Sequence, residues 1–361
     1  MRRWLFLVCV FLAMSPVFAQ GTLDLDNPDI GTASKSEKLA IGPVQNISFG
    51  GAFDGRFIVS DAQKSRLLIH VNELVITATI GDNISVLAEQ ILPTTEQVSG
   101  VGQDHGFAYA IFSNYSFLPT GMSIKAGRFR AKWGYDARSD SPSNPIQSLA
   151  LKSVGQITDT GIEVSGYLSE ALDYNVAIQN GVDTLFPGKT MADNPGNSYF
   201  ARLYYEPSSV YGFGFSYFKG NSYAWKNGLE FEHETMQAYG LLDRSALVRK
   251  ERMALDGTLR LGAWTMNAEY GFGKDSDALG SRDTSTQMVR ADYEIVPGLL
   301  SGLIQLDAIK DGDASTKDPV IGSGALTYRL TDKSLMRFFY ISELTSKPGG
   351  ILGGVQFLLS Y

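Results

Sequence analysis

The stretch Ile351–Tyr361, ILGGVQFLLSY, constrains this chain more than any other. Every second residue, Ile351, Gly353, Val355, Phe357, Leu359 and Tyr361, belongs to an uncharged, mostly apolar file, with Gly354, Gln356 and Ser360 among the residues between. A period of two is the mark of a β-strand whose two faces meet different surroundings. The strand stops on an aromatic residue, and no tail follows to cover a free edge. Taken alone it fits the last edge strand of a soluble sandwich as well as a strand of a larger closed sheet. The rest of the chain decides between them.

The same period recurs along the sequence. Ile47, Phe49, Gly51, Phe53, Gly55, Phe57 and Val59 alternate with a face that carries Asp54 and Arg56. Residues 66–80 and 83–91 follow around the tight-turn pair Gly81-Asp82. In the first of these, Glu73 spoils one register and His70 with Asn72 the other, which predicts a β-bulge. Phe107, Tyr109, Ile111, Tyr115 and Phe117 form the next apolar file, and Pro119-Thr120-Gly121 returns the chain into Met122–Arg130. A long loop through Ser139, Pro142 and Pro145 leads to Ile162, Val164, Gly166 and Leu168, then to Leu172, Tyr174, Val176 and Ile178. Tyr199, Ala201, Leu203 and Tyr205 pair through Pro207-Ser208-Ser209 with Tyr211, Phe213, Phe215 and Tyr217.

Residues 220–250 show no clear period and read as one long loop with a short helix near Ala246. Alternation resumes with Met253, Leu255, Gly257, Leu259 and Leu261, then Trp264, Met266, Ala268, Tyr270 and Phe272. Further files run through Val289–Ile295, Leu300–Ala308, Gly322–Leu330 and Met336–Tyr340 before the last strand. Long loops and short turns alternate, and the count is about 16 strands, an even number that sets both chain ends on the short-turn side.

Charge decides what the apolar files face. Asp, Glu, Lys and Arg make up 19% of the chain, yet none of them interrupts the apolar face of a clearly registered strand. They go to the opposite faces instead, as Asp54, Glu163, Arg202, Glu206, Asp256, Arg260, Glu269, Arg290, Asp292, Asp307, Arg329 and Arg337. A soluble sandwich shows a similar split with its apolar face packed inward. Aromatics beside the short turns, Phe117, Tyr174, Tyr205 and Tyr211, argue for a membrane interface on the outside. The average composition is too polar for membrane helices, each of which needs about 20 consecutive apolar residues. The fold class expected is all-β: a transmembrane antiparallel β-barrel over residues 44–361.

The amino terminus has Arg2 and Arg3, an apolar run from Trp4 to Met14, and Val17-Phe18-Ala19, the pattern of a signal peptide cleaved after residue 19. Residues 20–43 then read as a periplasmic or lumenal leader. Cleavage removes Cys9, which leaves no disulfide or thiolate chemistry. Removing two arginines takes the formal charge from −7 to −9, so nucleic acid is not an expected partner.

Sixteen strands enclose an aqueous channel, because barrel diameter grows with strand number. The densest cationic group facing it comprises Lys125, Arg128, Arg130, Lys132 and Arg138; cationic linings favour anions. The same charges can pair instead with Asp136 and Asp140 or with lipid headgroups.

The last strand resembles the terminal strand of bacterial outer-membrane barrels. Met122–Gly134, with Gly127-Arg128-Phe129-Arg130 before Trp133-Gly134, resembles a segment of the phosphate-selective porin O/P family. The likeness continues through Asp159-Thr160-Gly161, Gly166, Tyr174, Asn180-Gly181, and Arg202 with Pro207. It implies a 16-stranded trimeric porin of the bacterial outer membrane, with an anion path lined by Arg and Lys. Lys132 stands where that family commonly has Pro, and the acidic balance is unlike a dedicated phosphate collector. The functional expectation is therefore passive diffusion of small hydrophilic solutes through a trimer or monomer set in outer-membrane lipid, with a modest anion preference near Arg128 and Arg130.

Two other classes are weighed. A barrel hydrolase needs a base and partners, but His70, His105 and His233 lie far apart and no HExxH, Cys pair or phosphate loop occurs. The loop with Asp311, Asp313 and Asp318 lacks a full calcium-ligand pattern, so no metal or other cofactor is expected. A barrel that sheathes a partner protein would have the same strands as a porin.

Overall fold

The computed structural model describes residues 39–41, 44–60, 65–91, 107–113, 115, 118–119, 121–135, 146, 148, 154, 158–180, 196–225, 242–277, 280–310, 318–345 and 351–361. The signal peptide, most of the leader, His105, His233, Asp311 and Asp313 lie outside the described residues, as do Phe117 and Arg138.

Within them the chain forms seventeen strands. They are β1 (Leu39–Ile41), β2 (Val44–Ser60), β3 (Arg66–Ile80), β4 (Ile84–Ile91), β5 (Ala108–Ser113), β6 (Ser123–Arg130), β7 (Thr158–Ser169), β8 (Leu172–Gln179) and β9 (Ser198–Ser208). The second half supplies β10 (Tyr211–Trp225), β11 (Leu242–Leu261), β12 (Trp264–Asp277), β13 (Gly280–Val296), β14 (Leu300–Lys310), β15 (Val320–Thr331), β16 (Ser334–Glu343) and β17 (Ile351–Ser360). Each strand from β2 to β17 pairs antiparallel with its chain neighbour, and β17 pairs with β2 from Leu352↔Ser60 to Ser360↔Ala52. Sixteen strands thus close into a ring, while the short β1, in the segment expected as leader, folds back on β2. Tyr361 finishes the seam: its backbone exchanges two hydrogen bonds with Gly51 at 3.0 Å, and its Oη donates to the Glu73 carbonyl at 2.8 Å.

The alternation read from the sequence fixes which side faces out. Leu255, Val289, Ile304 and Leu306 are more than half exposed, and their files continue around the ring through Phe213, Met266 and Phe338. The opposite faces bury Asp54, Arg56, Arg202, Asp256, Glu269 and Arg337. A water-soluble protein seldom exposes a contiguous apolar surface of more than a few hundred Å²; in hydrocarbon such a belt meets no penalty. At its lower edge, beside the short turns, stand Tyr205, Tyr211, Trp264 and Tyr293, with the rings of Trp264 and Tyr293 tilted against each other at 4.5 Å. Gly81, Gly262 and Gly298 turn the chain with φ of 58°, 60° and 70°, a left-handed geometry that glycine adopts without cost. This is the architecture of an outer-membrane β-barrel.

The expected bulge is present. Asp54 pairs with Val71 but Gly55 with Ile69, so His70 is the extra residue of β3.

Three readings of the sequence need correction. Residues 220–225 and 242–250, expected in a loop, extend β10 and β11, and Ala246 lies in a strand rather than a helix. The connection between β12 and β13 is a tight hairpin with Asp277 opposite Gly280, although it lies on the side expected to carry long loops. The file Tyr109 and Ile111 of β5 faces the lumen: Tyr109 pairs with Leu87 and Gly127, and Ile111 with Ser85 and Lys125. Ala108, Ala110 and Phe112 take the outer face instead. Both faces of β5 are apolar, so period alone does not orient it.

The belt makes a depth-dependent prediction. Ala268→Arg, in the middle of the outer face of β12, is expected to destabilise the folded barrel by about 2–4 kcal/mol, whereas Leu261→Arg at the lower edge costs about 0–1 kcal/mol. Reversible urea unfolding in phospholipid vesicles measures both; equal costs would contradict the assigned depth.

Candidate functional site

The lumen holds the chemistry. Luminal residues two apart on one strand share a face, and this spacing lets a strand neutralise its own charges. In β2 the Arg56 guanidinium grips Asp54, with Nε donating to Oδ2 at 3.0 Å, and both side chains are fully buried. In β13 the same pattern runs the other way: Arg290 donates through Nε and Nη2 to both Asp292 oxygens at 2.8 Å. Across strands, Arg202 of β9 makes a two-pronged pair with Asp256 of β11 at 2.7 and 2.8 Å. Lys125 of β6 lies 3.3 Å from Glu163 of β7, and Arg252 of β11 pairs with Asp275 of β12. Arg337 of β16 donates to Thr327 and to Gln356 at 2.9 and 2.7 Å. The wall is thus densely charged but largely self-compensated, as burial requires of ions.

The chain leaving β6 enters this lumen. Phe129, Ala131 and Trp133 are each 1% exposed and pack with Ala177, Phe200, Phe218 and Ala254, the luminal residues of β8 to β11, together with Val154. Trp133 meets Phe218 edge-on at 6.4 Å, and Phe218 lies 4.7 Å from Phe200. Beyond Trp133 the backbone is held by hydrogen bonds from the far wall. Gly134 N donates to Ser216 Oγ at 3.1 Å and Tyr135 N to Glu269 Oε1 at 3.3 Å. Arg290 stacks over the Tyr135 ring at 5.8 Å. Gly134 takes φ 61°, and a Cβ there would strike the Glu269 carboxylate. A short segment therefore runs as a chord from β6 to the inner faces of β10, β12 and β13.

The residues singled out from the sequence do not gather in one place. Lys125 faces the lumen between the rings of Tyr109 and Phe129, at 4.8 and 5.6 Å from their centres. Alternation along β6 sets Arg128 and Arg130 on the other strand face with Ile124 and Ala126, although Arg128 is buried. Lys132 sits on the crossing segment between Ala131 and Trp133. Arg202 lies on β9 with Asp256 and donates to Ser216 Oγ at 2.7 Å, the hydroxyl that also accepts from Gly134 N.

The arrangement also uses residues that the sequence reading passed over, Phe200, Phe218 and Ser216, and gives a local role to Trp133 and Glu269, which the sequence marked only by a family resemblance and by strand face. Phe200 and Phe218 are large apolar residues out of phase with the outward files Tyr199, Ala201, Leu203 and Tyr211–Tyr217. A phenylalanine on the wet face of a strand signals an apolar partner inside.

No protein-family model matches the chain, and no curated protein sequence matches it. Solved structures do. OmpF of Salmonella typhi in complex with daunomycin is similar with a TM-score of 0.61 and 12% identity over 90% of this chain and 100% of that one. A trimer form of OmpT, an outer membrane protein of Vibrio cholerae, gives 0.57 and 11% over 87% and 99%. An anion-selective porin from Comamonas acidovorans gives 0.61 and 11% over 87% and 99%. At this identity the likeness is one of fold. It supports a porin-like barrel in general, whereas the narrower resemblance to the phosphate-selective O/P family has no support from these comparisons.

Proposed function

We propose that this chain is an outer-membrane porin that lets small hydrophilic solutes diffuse passively across the membrane. The observation that carries the reading is the inverted partition of side chains: a lipid-facing apolar belt surrounds a polar, charged interior. The porins among its structural neighbours support it, and the trimer form of one of them supports assembly as a homotrimer. The segment through Trp133 narrows the path and sets its conductance.

Selectivity is the finer part of the proposal. The cations at the root of the crossing segment that face the lumen or stand on that segment, Lys125 and Lys132, give a modest preference for anions, whereas Arg128 and Arg130, on the outer face of β6, act on the path only at a distance. The preference is small because Lys125 is offset by Glu163 and Arg202 by Asp256. Field focusing needs an excess of one sign, and these pairs supply none.

Recording from the purified protein in planar bilayers tests both parts. Discrete ohmic conductance steps are expected; their absence rejects the porin reading. Trp133→Ala, which removes the largest side chain of the crossing segment, is expected to raise the unitary conductance by roughly a factor of two, since the narrowest section limits flow. In a KCl gradient the reversal potential is expected to lie slightly on the chloride side. Lys125→Ala with Lys132→Ala is expected to move it toward zero, and Arg128→Ala with Arg130→Ala to move it less. Cation selectivity that the double lysine variant leaves unchanged rejects the anion part while leaving the porin intact.

A further inference from the structure

On the lipid-facing side of β10 to β13 the belt ends abruptly in one hydrogen-bonded row. The paired residues Tyr217, Met253, Phe272 and Ser285 are followed, two positions further from the short turns, by Lys219, Glu251, Lys274 and Asp283. The next row on the same face is Asn221, Arg249, Ser276 and Ser281. Lys219 lies 3.5 Å from Glu251 and Lys274 lies 3.9 Å from Asp283, and all four side chains are exposed. Tyr217 Oη donates to Glu251 Oε1 at 2.9 Å, so the central carboxylate is held by a phenol and an ammonium on its own sheet.

The height of this row is fixed by the strand. From Trp264 at the lower edge to Lys274 is ten residues of β12. Ten residues at about 3.3 Å, on a strand tilted about 40°, rise about 25 Å, the height of the apolar band of such barrels. The row therefore lies at the outer headgroup level, on the side away from the chain ends. Neighbouring strands are about 4.8 Å apart, so Lys219 on β10 and Lys274 on β12 stand about 10 Å from each other, with Arg249 on β11 above and between them.

We propose that Lys219, Arg249 and Lys274 form a docking surface for the phosphorylated headgroup of an outer-leaflet lipid, whose acyl chains lie on the aromatic and aliphatic rows below. The charge is complementary: three cations stand with two carboxylates, Glu251 and Asp283, which leaves an excess of one positive charge, and Arg with Lys suits phosphate oxygens. The location is also specific, because among the described residues the strands of this face run further than the strands beside them. β13 continues past the end of β14 at Ser285↔Lys310, and β10 continues past the start of β9, where Lys219 pairs with Tyr199. The surface does not touch the lumen, and the inference is independent of what the barrel conducts.

Native mass spectrometry of the purified full-length protein in a neutral detergent, titrated with bis-phosphorylated lipid A and with its monophosphoryl form, tests the inference. Wild-type protein is expected to prefer the bis-phosphorylated lipid. Near an anionic surface each cation contributes about fivefold in affinity, so Lys219→Gln with Arg249→Gln and Lys274→Gln is expected to weaken binding about 100-fold and to erase the preference. Glu251→Gln, at the centre of the same patch, is expected to tighten binding. Heat-dependent mobility in detergent gels shows that each variant is folded. The inference is overturned if the folded triple variant binds within twofold of wild type, or if Glu251→Gln weakens binding. It is equally overturned if the triple variant keeps the lipid but loses a cross-linkable oligomer, which would make this face a contact between copies.

Discussion

Hydrocarbon offers no partner to a backbone amide, so a sheet crossing it must return on itself. In this chain that requirement falls on one seam. β17 brings a strand without charge to β2, which carries the buried Arg56–Asp54 pair on its inner face and phenylalanines on its outer face. Tyr361 then locks the junction with hydrogen bonds to Gly51 and Glu73. Gly51 is small for this reason, because a side chain there would collide with the Tyr361 ring and the Glu73 carbonyl.

Closure divides the side chains into two environments, and each obeys its own accounting of charge. On the outer faces of β10 to β13, charge is absent across the belt and then appears all at once. Inside, charge is abundant but cancelled locally, by residues two apart on one strand or directly across a strand pair. Removing one member of such a buried pair strands its partner, which is why these pairs are costly to break even though they add little when complete. The interior is thus polar without presenting one dominant sign.

Much of this was legible in the sequence. The alternating files placed nearly every strand, and the bulge at His70 was visible as a conflict between registers. The failures have a common physical cause. Period two appears only where one face meets lipid and the other does not. β5 has apolar residues on both faces, because Tyr109 packs on the inner cluster and Ile111 shares its face, while Ala108 and Ala110 face out. Above the belt, Lys219–Ser222 and Val248–Glu251 mix polar residues on both faces, so the strands continue where the pattern has already stopped. The crossing segment was legible only in part. Its glycine and tryptophan stood out, but Ser216 and Glu269, which hold it, lie 82 and 134 residues away along the chain.

A closed sheet is stiff along its strands and compliant in cross-section, since squeezing a cylinder only bends hydrogen bonds. The run from Phe129 to Tyr135 changes that mechanics. By fastening β6 to Ser216 and Glu269 it acts as a spoke, and the tube's cross-section becomes a property of a few side chains rather than of the lipid around it. Lateral pressure from the bilayer is then carried by a tryptophan wedged between phenylalanines. Membranes of different tension would meet the same aperture.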